Sequence, residues 1–193
     1  MSNESNKLQT YTSDLLALEK HFLSALRKQK TSDKFEEIHS IELINELEKM
    51  VSMHVESMEE HVERLGGEIK SEIKSQIASF TGTIAGLIDR VRNDSVSKMF
   101  RDDYVALSMI TMGYTMLHTF ALAEDEDKLA DVSIEHMENC TAMVTEISKI
   151  VPLAVASEII DDKQRANTIG QMALENTQNA WKPMVVNQEP NIA

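Results

Sequence analysis

Glycine and proline are scarce in this chain, six and three among 193 residues. Strand-and-turn architectures need both at their reversals, so sandwiches and barrels are excluded as a class; abundant Leu, Ile, Met, Ala, Glu and Lys favour long helices. One cysteine, Cys140, excludes an internal disulfide and any CxxC zinc pattern, and it reads as a small buried apolar residue in a reducing compartment. Basic residues are outnumbered, 19 Lys and Arg against 32 Asp and Glu, and the net charge of -13 repels nucleic-acid phosphate and anionic lipid. Neither nucleic acid nor membrane is expected as a partner. No run reaches the roughly 18 apolar residues that span a bilayer, and MSNESNKLQTYTSD is not a signal peptide, so a cytoplasmic location is expected. A Gly-rich phosphate loop, a nucleophile elbow and an HExxH pattern are also missing, which leaves familiar nucleophilic catalysis without support.

What is there is helical periodicity. A first helix is expected from about Ser13 to Lys30, with Ser13 or Asp14 as cap and an apolar stripe of Leu15, Leu16, Phe22, Leu23 and Leu26. A second follows Ser32 or Asp33 and runs unbroken to Leu65, where Gly66 and Gly67 supply a left-handed stop. Residues 68 to 95 read as a crossover with a short helical pattern from Ile84 to Val91. A third helix, about Phe100 to Ala123, is apolar on nearly all sides and is expected deep in the structure; a fourth runs from Lys128 to Val151 and stops at Pro152. Residues 153 to 182 read as one or two more helices, with Gly170 as a break. The expected organisation is all-α: a flexible 1–12, a four-helix bundle over 13–151, a helical extension over 152–182 and a tail over 183–193. Two antiparallel hairpins joined by one long crossover is the connectivity of a ferritin-like bundle, whose metal sites form from inward side chains.

The helical period of 100° per residue shows which polar groups face inward. Glu19 lies four after Leu15 and four before Leu23, in the middle of the first apolar stripe. A lone buried carboxylate costs several kcal/mol unless it is paired, protonated or metal-bound. On the second helix His54 and His61 fall on the seam of Val51, Val55, Met58 and Leu65, Glu59 lies at its flank, and Glu56, Glu60 and Glu63 point outward. His136, four after Val132 and four before Cys140, faces in from the fourth helix; His118 is the one strongly ionisable candidate on the third. Met109, Met112 and Met116 recur at helical spacing and read as core packing rather than as thioether ligands for a soft ion.

The stretch HVESMEEHVERL resembles the second-helix signature of the YciE/YciF family of bacterial ferritin-like proteins. ALEKHFLSAL, TIAGLIDR and IEHMEN are similar, in order, to the family's first-helix, crossover and fourth-helix segments, so the likeness covers about residues 13 to 151. It implies a stress-associated homodimer with an extra C-terminal helix and a di-metal centre, and it places Glu19, Glu56, Glu59 and Glu135 or His136 at related positions. Glu59 stands where some members have the His of an ExxH pair, and Gly113 and Met116, in MGYTM, stand where members carry third-helix glutamates. His39 completes an ExxH with Glu36, far from the level of Glu19. The leading expectation is therefore a non-enzymatic ferritin-like bundle. Its interior site is altered, drawn from Glu19, His54 or His61, His118 and His136 and holding iron or another divalent transition metal, or it holds no metal. The alternatives are a di-iron oxidase or peroxidase using Glu19, Glu59 and Glu135, and a helical interaction scaffold in which the histidines only pack.

Overall fold

A computed structural model describes residues 3–32, 34–37, 40–67 and 95–182. Among them the chain is an all-helical bundle of six segments: α1 (Asn3–Gln29), α2 (Lys34–Glu37), α3 (Ile41–Arg64), α4 (Val96–Ala123), α5 (Asp127–Ile159) and α6 (Lys163–Trp181). The expected crossover helix, His39 and the 183–193 tail lie outside the described residues.

The side-chain pairs fix how the helices run. Arg27 and Lys30 meet Glu48, Glu19 meets His54, and Lys20 meets Glu59, so α1 and α3 are antiparallel. His118 meets the Ala130 carbonyl and Tyr114 meets His136, so α4 and α5 are antiparallel. Tyr11 against Phe120 and Gln29 against Asp103 set α1 antiparallel to α4; His54 against Asn139 and Arg64 against Glu126 set α3 antiparallel to α5. It follows that α3 and α4 run parallel, so the end of α3 and the start of α4 lie at opposite ends of the bundle. α6 packs on α5.

Several boundaries differ from the sequence expectation, each for a physical reason. α1 begins ten residues earlier than expected, and part of the segment read as flexible is core: Leu8 and Thr12 are buried. Thr12 is satisfied by its own helix, its hydroxyl donating to the Leu8 carbonyl at 2.8 Å, and the expected caps Ser13 and Asp14 sit inside the helix. The second helix is not continuous. Phe35 inserts fully into the core edge-on to Phe100, with ring centroids 5.5 Å apart, and α3 starts afresh after Ser40. Its end is as expected: Gly66 adopts φ 86°, and the Gly67 amide closes on the Val62 carbonyl at 2.9 Å.

Pro152 does not end α5, which continues to Ile159. An interior proline costs ~3 kcal/mol, and packing beyond it holds the helix together: Ala154 and Ala156 are buried where α6 crosses. Gly170 is the reason for the close approach rather than a break. A Cβ there would lie 3.0 Å from Leu153 Cδ2 and 3.3 Å from Ala156 Cβ.

The third expected helix is not buried all round. Val105, Met109, Met112, Met116 and Leu122 of α4 are exposed, which overturns the core assignment of the methionines. By length and composition α4 and α5 are each apolar enough to cross a membrane, contrary to the expectation that no segment is, and a third or less of each apolar window is buried (33% and 22%).

Candidate metal centre

The centre of the bundle holds a polar cluster assembled from all four long helices. Glu19 of α1 is fully buried in the middle of its apolar stripe, His54 comes from the buried seam of α3, Tyr114 from α4 and His136 from α5. The Glu19 Oε1 and His54 Nδ1 atoms are 3.1 Å apart, and the Tyr114 hydroxyl lies 2.8 Å from His136 Nδ1. The two imidazoles stack with centroids 3.8 Å apart and planes 7° from parallel. The Tyr114 ring stands perpendicular to His136 at 5.1 Å. Asn139 closes the cluster, its amide nitrogen 3.4 Å from His54 Nε2.

Hydrogen-bond logic assigns the protons. An Asn139 amide N–H donating to His54 Nε2 leaves the ring's proton on Nδ1, where it donates to the Glu19 carboxylate. The second carboxylate oxygen, Oε2, has no hydrogen-bond partner, although the Tyr114 hydroxyl, directed at His136, lies close enough for each group to perturb the other.

Electrostatics follow from dryness. Burial pushes the Glu19 carboxyl above the usual carboxylate range, and the hydrogen bond and charge of His54 draw it partly back. Burial, together with the charge of Glu19, pushes the Tyr114 phenol well above its ordinary value. His136 is held down to about 3 by burial first and by His54 and His61 second, so it is a neutral imidazole at any ordinary pH. Burial first, and the charge of Glu19 second, likewise push the Cys140 thiol up, and Cys140 is not among the converging donors.

Of the eight candidate ligands, three converge. One donor atom each from Glu19, His54 and His136 lies within 4.8 Å of the others. The remaining five are elsewhere. Glu56 and Glu135 are exposed, and Glu59 is ion-paired with Lys20 at the flank of α3. His61 is half-buried beside Arg64, and its imidazole is held below the usual value by partial burial and by that guanidinium. His118 donates from Nδ1 to the Ala130 carbonyl at 2.9 Å and is not among the converging donors. At Gly113, where the resemblance places a glutamate, a Cβ would lie 2.8 Å from Leu15 Cδ1, so a side chain there requires the Leu15 methyl to move.

This donor set can be tested against the metals. A carboxylate-bridged pair of irons draws carboxylates from several helices, and only Glu19 supplies one at this level, so a di-iron centre does not fit the described residues. Two imidazoles and one carboxylate do fit a single borderline divalent ion in donor type. The stacking imposes a condition. Imidazole binds a metal in its own ring plane at about 2.0–2.1 Å, and planes 7° from parallel do not meet at such a point, so one ring must tilt to receive an ion.

Tyr114 and Asn139 are functional neighbours that the periodicity reading missed. Tyr114 was detectable as a hydroxyl four residues before His118 on an apolar helix; Asn139 gave no signal beyond lying three after His136. A groove between α3, α5 and α6, lined in part by Glu42, Glu46, Glu146 and Lys149, includes none of the cluster residues. Comparison with protein-family models, with curated proteins and with solved structures found no match.

Proposed function

We propose that the chain is a non-enzymatic, ferritin-like helical bundle, of the stress-associated kind that the likeness of HVESMEEHVERL implies, with an altered interior site for one divalent transition metal. The observation that carries this reading is the convergence of Glu19, His54 and His136 from three helices to within 4.8 Å. The order of helix directions supports the ferritin-like part, because the second antiparallel hairpin starts at the end of the bundle opposite to where the first stops. In this reading Glu19, His54 and His136 hold the ion, Tyr114 fixes the His136 ring through Nδ1, and Asn139 orients His54, its amide turned so that the oxygen accepts the proton that passes to Nε2 when the ion takes Nδ1. The ion would supply positive charge to a dry pocket whose carboxylate is otherwise disfavoured.

The parallel stacking of His54 and His136 favours one other reading, an interior polar network that specifies packing and binds nothing. Elemental analysis separates the two. Protein purified without chelator, then equilibrated with ferrous iron or zinc, should carry about one metal per chain, and Glu19→Gln should lose it while keeping its helix content. Two metals per chain, lost in the same variant, would restore the di-iron oxidase; none in any sample leaves the polar network.

A further inference from the structure

The methionines of this bundle divide sharply by exposure. Met58 and Met99 are buried, whereas Met109, Met112 and Met116, along the outward face of α4, are 37%, 58% and 52% exposed. An exposed thioether is a soft nucleophile that hydroperoxides convert to the sulfoxide, and burial shields it from them. Exposure alone would make Met112 and Met116 equivalent. One hydrogen bond sets Met116 apart: the Tyr11 hydroxyl donates to its Sδ at 2.9 Å, across the contact between α1 and α4.

That donor is fixed from its own side. The Tyr11 ring meets the Phe120 ring edge-on, with centroids 6.4 Å apart and planes 68° from parallel, and Phe120 stands one turn beyond Met116 on α4. Burial first, and the Asp14 carboxylate second, hold the Tyr11 phenol above its ordinary value, so it keeps its proton at neutral pH. Beside Met112 the hydroxyls are directed elsewhere. Thr111 and Thr115 bond the carbonyls four residues earlier, at 2.8 and 3.1 Å, so the Met112 sulfur takes no hydrogen bond from them.

A thioether sulfur carries two lone pairs, and oxygen added at one or the other gives opposite sulfoxide epimers. At Met116 the Tyr11 hydroxyl occupies one lone pair and leaves the other to solvent. We propose that Met116 is a site of stereospecific oxidation by hydroperoxides, at which Tyr11 directs the oxygen to a single epimer of methionine sulfoxide. The free lone pair attacks the terminal peroxide oxygen, and an S–O bond forms as the O–O bond breaks. The proton on the attacked oxygen passes to the departing one, which leaves as water, or as an alcohol from an organic hydroperoxide. Sulfur is oxidised by two electrons and the peroxide is reduced by two. Each stereospecific sulfoxide reductase accepts one epimer, so the mark at Met116 is erased by one class of reductase, whereas a mixed sulfoxide at Met112 requires both.

The test is to treat the full chain with hydrogen peroxide in the presence of a chelator. The digested product is then mapped by mass spectrometry before and after each of the two stereospecific reductases. In wild type one reductase should clear Met116 sulfoxide with about tenfold preference over the other, the factor that one hydrogen bond supplies, and Met112 sulfoxide should yield to both in comparable shares. Tyr11→Phe keeps a ring against Phe120 and removes the hydroxyl, so Met116 sulfoxide should become a mixture at unchanged helix content. Equal epimer ratios at Met116 and Met112 within the wild-type chain would overturn the proposal without recourse to any variant. A single Met116 epimer that persists in Tyr11→Phe would overturn it too, as would a Met116 that stays reduced while Met112 is oxidised.

Discussion

Two carboxylates are buried among the described residues of this bundle, and they are made tolerable in different ways. Glu19, at the centre, faces a histidine, a second histidine stacked on the first, and a tyrosine. Asp103, towards the α1 C-terminus, faces only the amide of Gln29, 2.8 Å away. Burial raises both acids, and Asp103 reaches about 7. In the Asp103 pair, Asp103 Oδ2 and Gln29 Oε1 are both buried acceptors without a donor. A proton on Asp103 removes the charge and supplies the missing donor, so this pair is completed from within. At the centre, the Glu19 Oε2 orphan lies among nitrogen donors that converge from other helices. A proton can complete the first site, and under the proposed function a cation completes the second; burial alone does not distinguish them.

The largest effect should come from removing the central partner. Glu19→Ala removes the acceptor of the His54 Nδ1–H bond and leaves a cavity in the core, and urea unfolding should show a loss of about 2–5 kcal/mol. If Asp103→Ala costs as much, the two sites are equivalent and the comparison fails.

The next effect is pH-dependent and belongs to Asp103. Its folded pKa of about 7 lies above the unfolded value of 3.8, so between these the folded state binds a proton that the unfolded state has lost. Stability from this residue is fully present below the unfolded value and is lost as pH rises through about 7, on the order of 4 kcal/mol in all. Denaturation at pH 5 and pH 8 should show about 2–3 kcal/mol of that loss in wild type and a much flatter profile in Asp103→Asn. His136 works in the opposite sense: held down to about 3, it makes metal-free protein lose stability as pH falls below the ordinary histidine value, where the unfolded ring takes up a proton.

Tyr114→Phe sharpens the account of the centre with a smaller change. It removes the hydroxyl that fixes His136 at 2.8 Å, and should cost about 1–2 kcal/mol while weakening zinc binding about tenfold. A stability loss without an affinity change would make Tyr114 structural only. Smallest is Gly170→Ala, where crowding against Leu153 and Ala156 is partly offset by better helix propensity, for a net loss of about 1 kcal/mol by thermal denaturation.

Much of this was legible in the sequence, for reasons particular to each residue. Glu19 and His136 were found because each sits four residues from apolar neighbours on both sides, and a burial cost falls on any polar group in that position. The same reasoning applies to Asp103, four after Met99 and four before Leu107, where the surrounding charges of Arg101 and Asp102 masked it. Facing was not legible on α4, because a helix apolar on every side gives no stripe to measure from. Its methionines were assigned to the core for that reason, yet packing requires only the side carrying Ala106, Leu107, Ile110, Tyr114 and Leu117. Pro152 misled because a local rule was set against packing seen only in three dimensions. The convergence of Glu19, His54 and His136 depended on helix register across the bundle, which periodicity along one helix does not contain.

The most direct test of the central claim is a visible absorption titration of metal-free protein with cobalt(II), run beside His136→Ala. Three protein ligands in a dry pocket predict intense d–d bands that saturate at about one ion per chain and are missing in the variant. A spectrum no different from that of aqueous cobalt in both proteins would contradict the metal centre and leave the stacked histidines as packing.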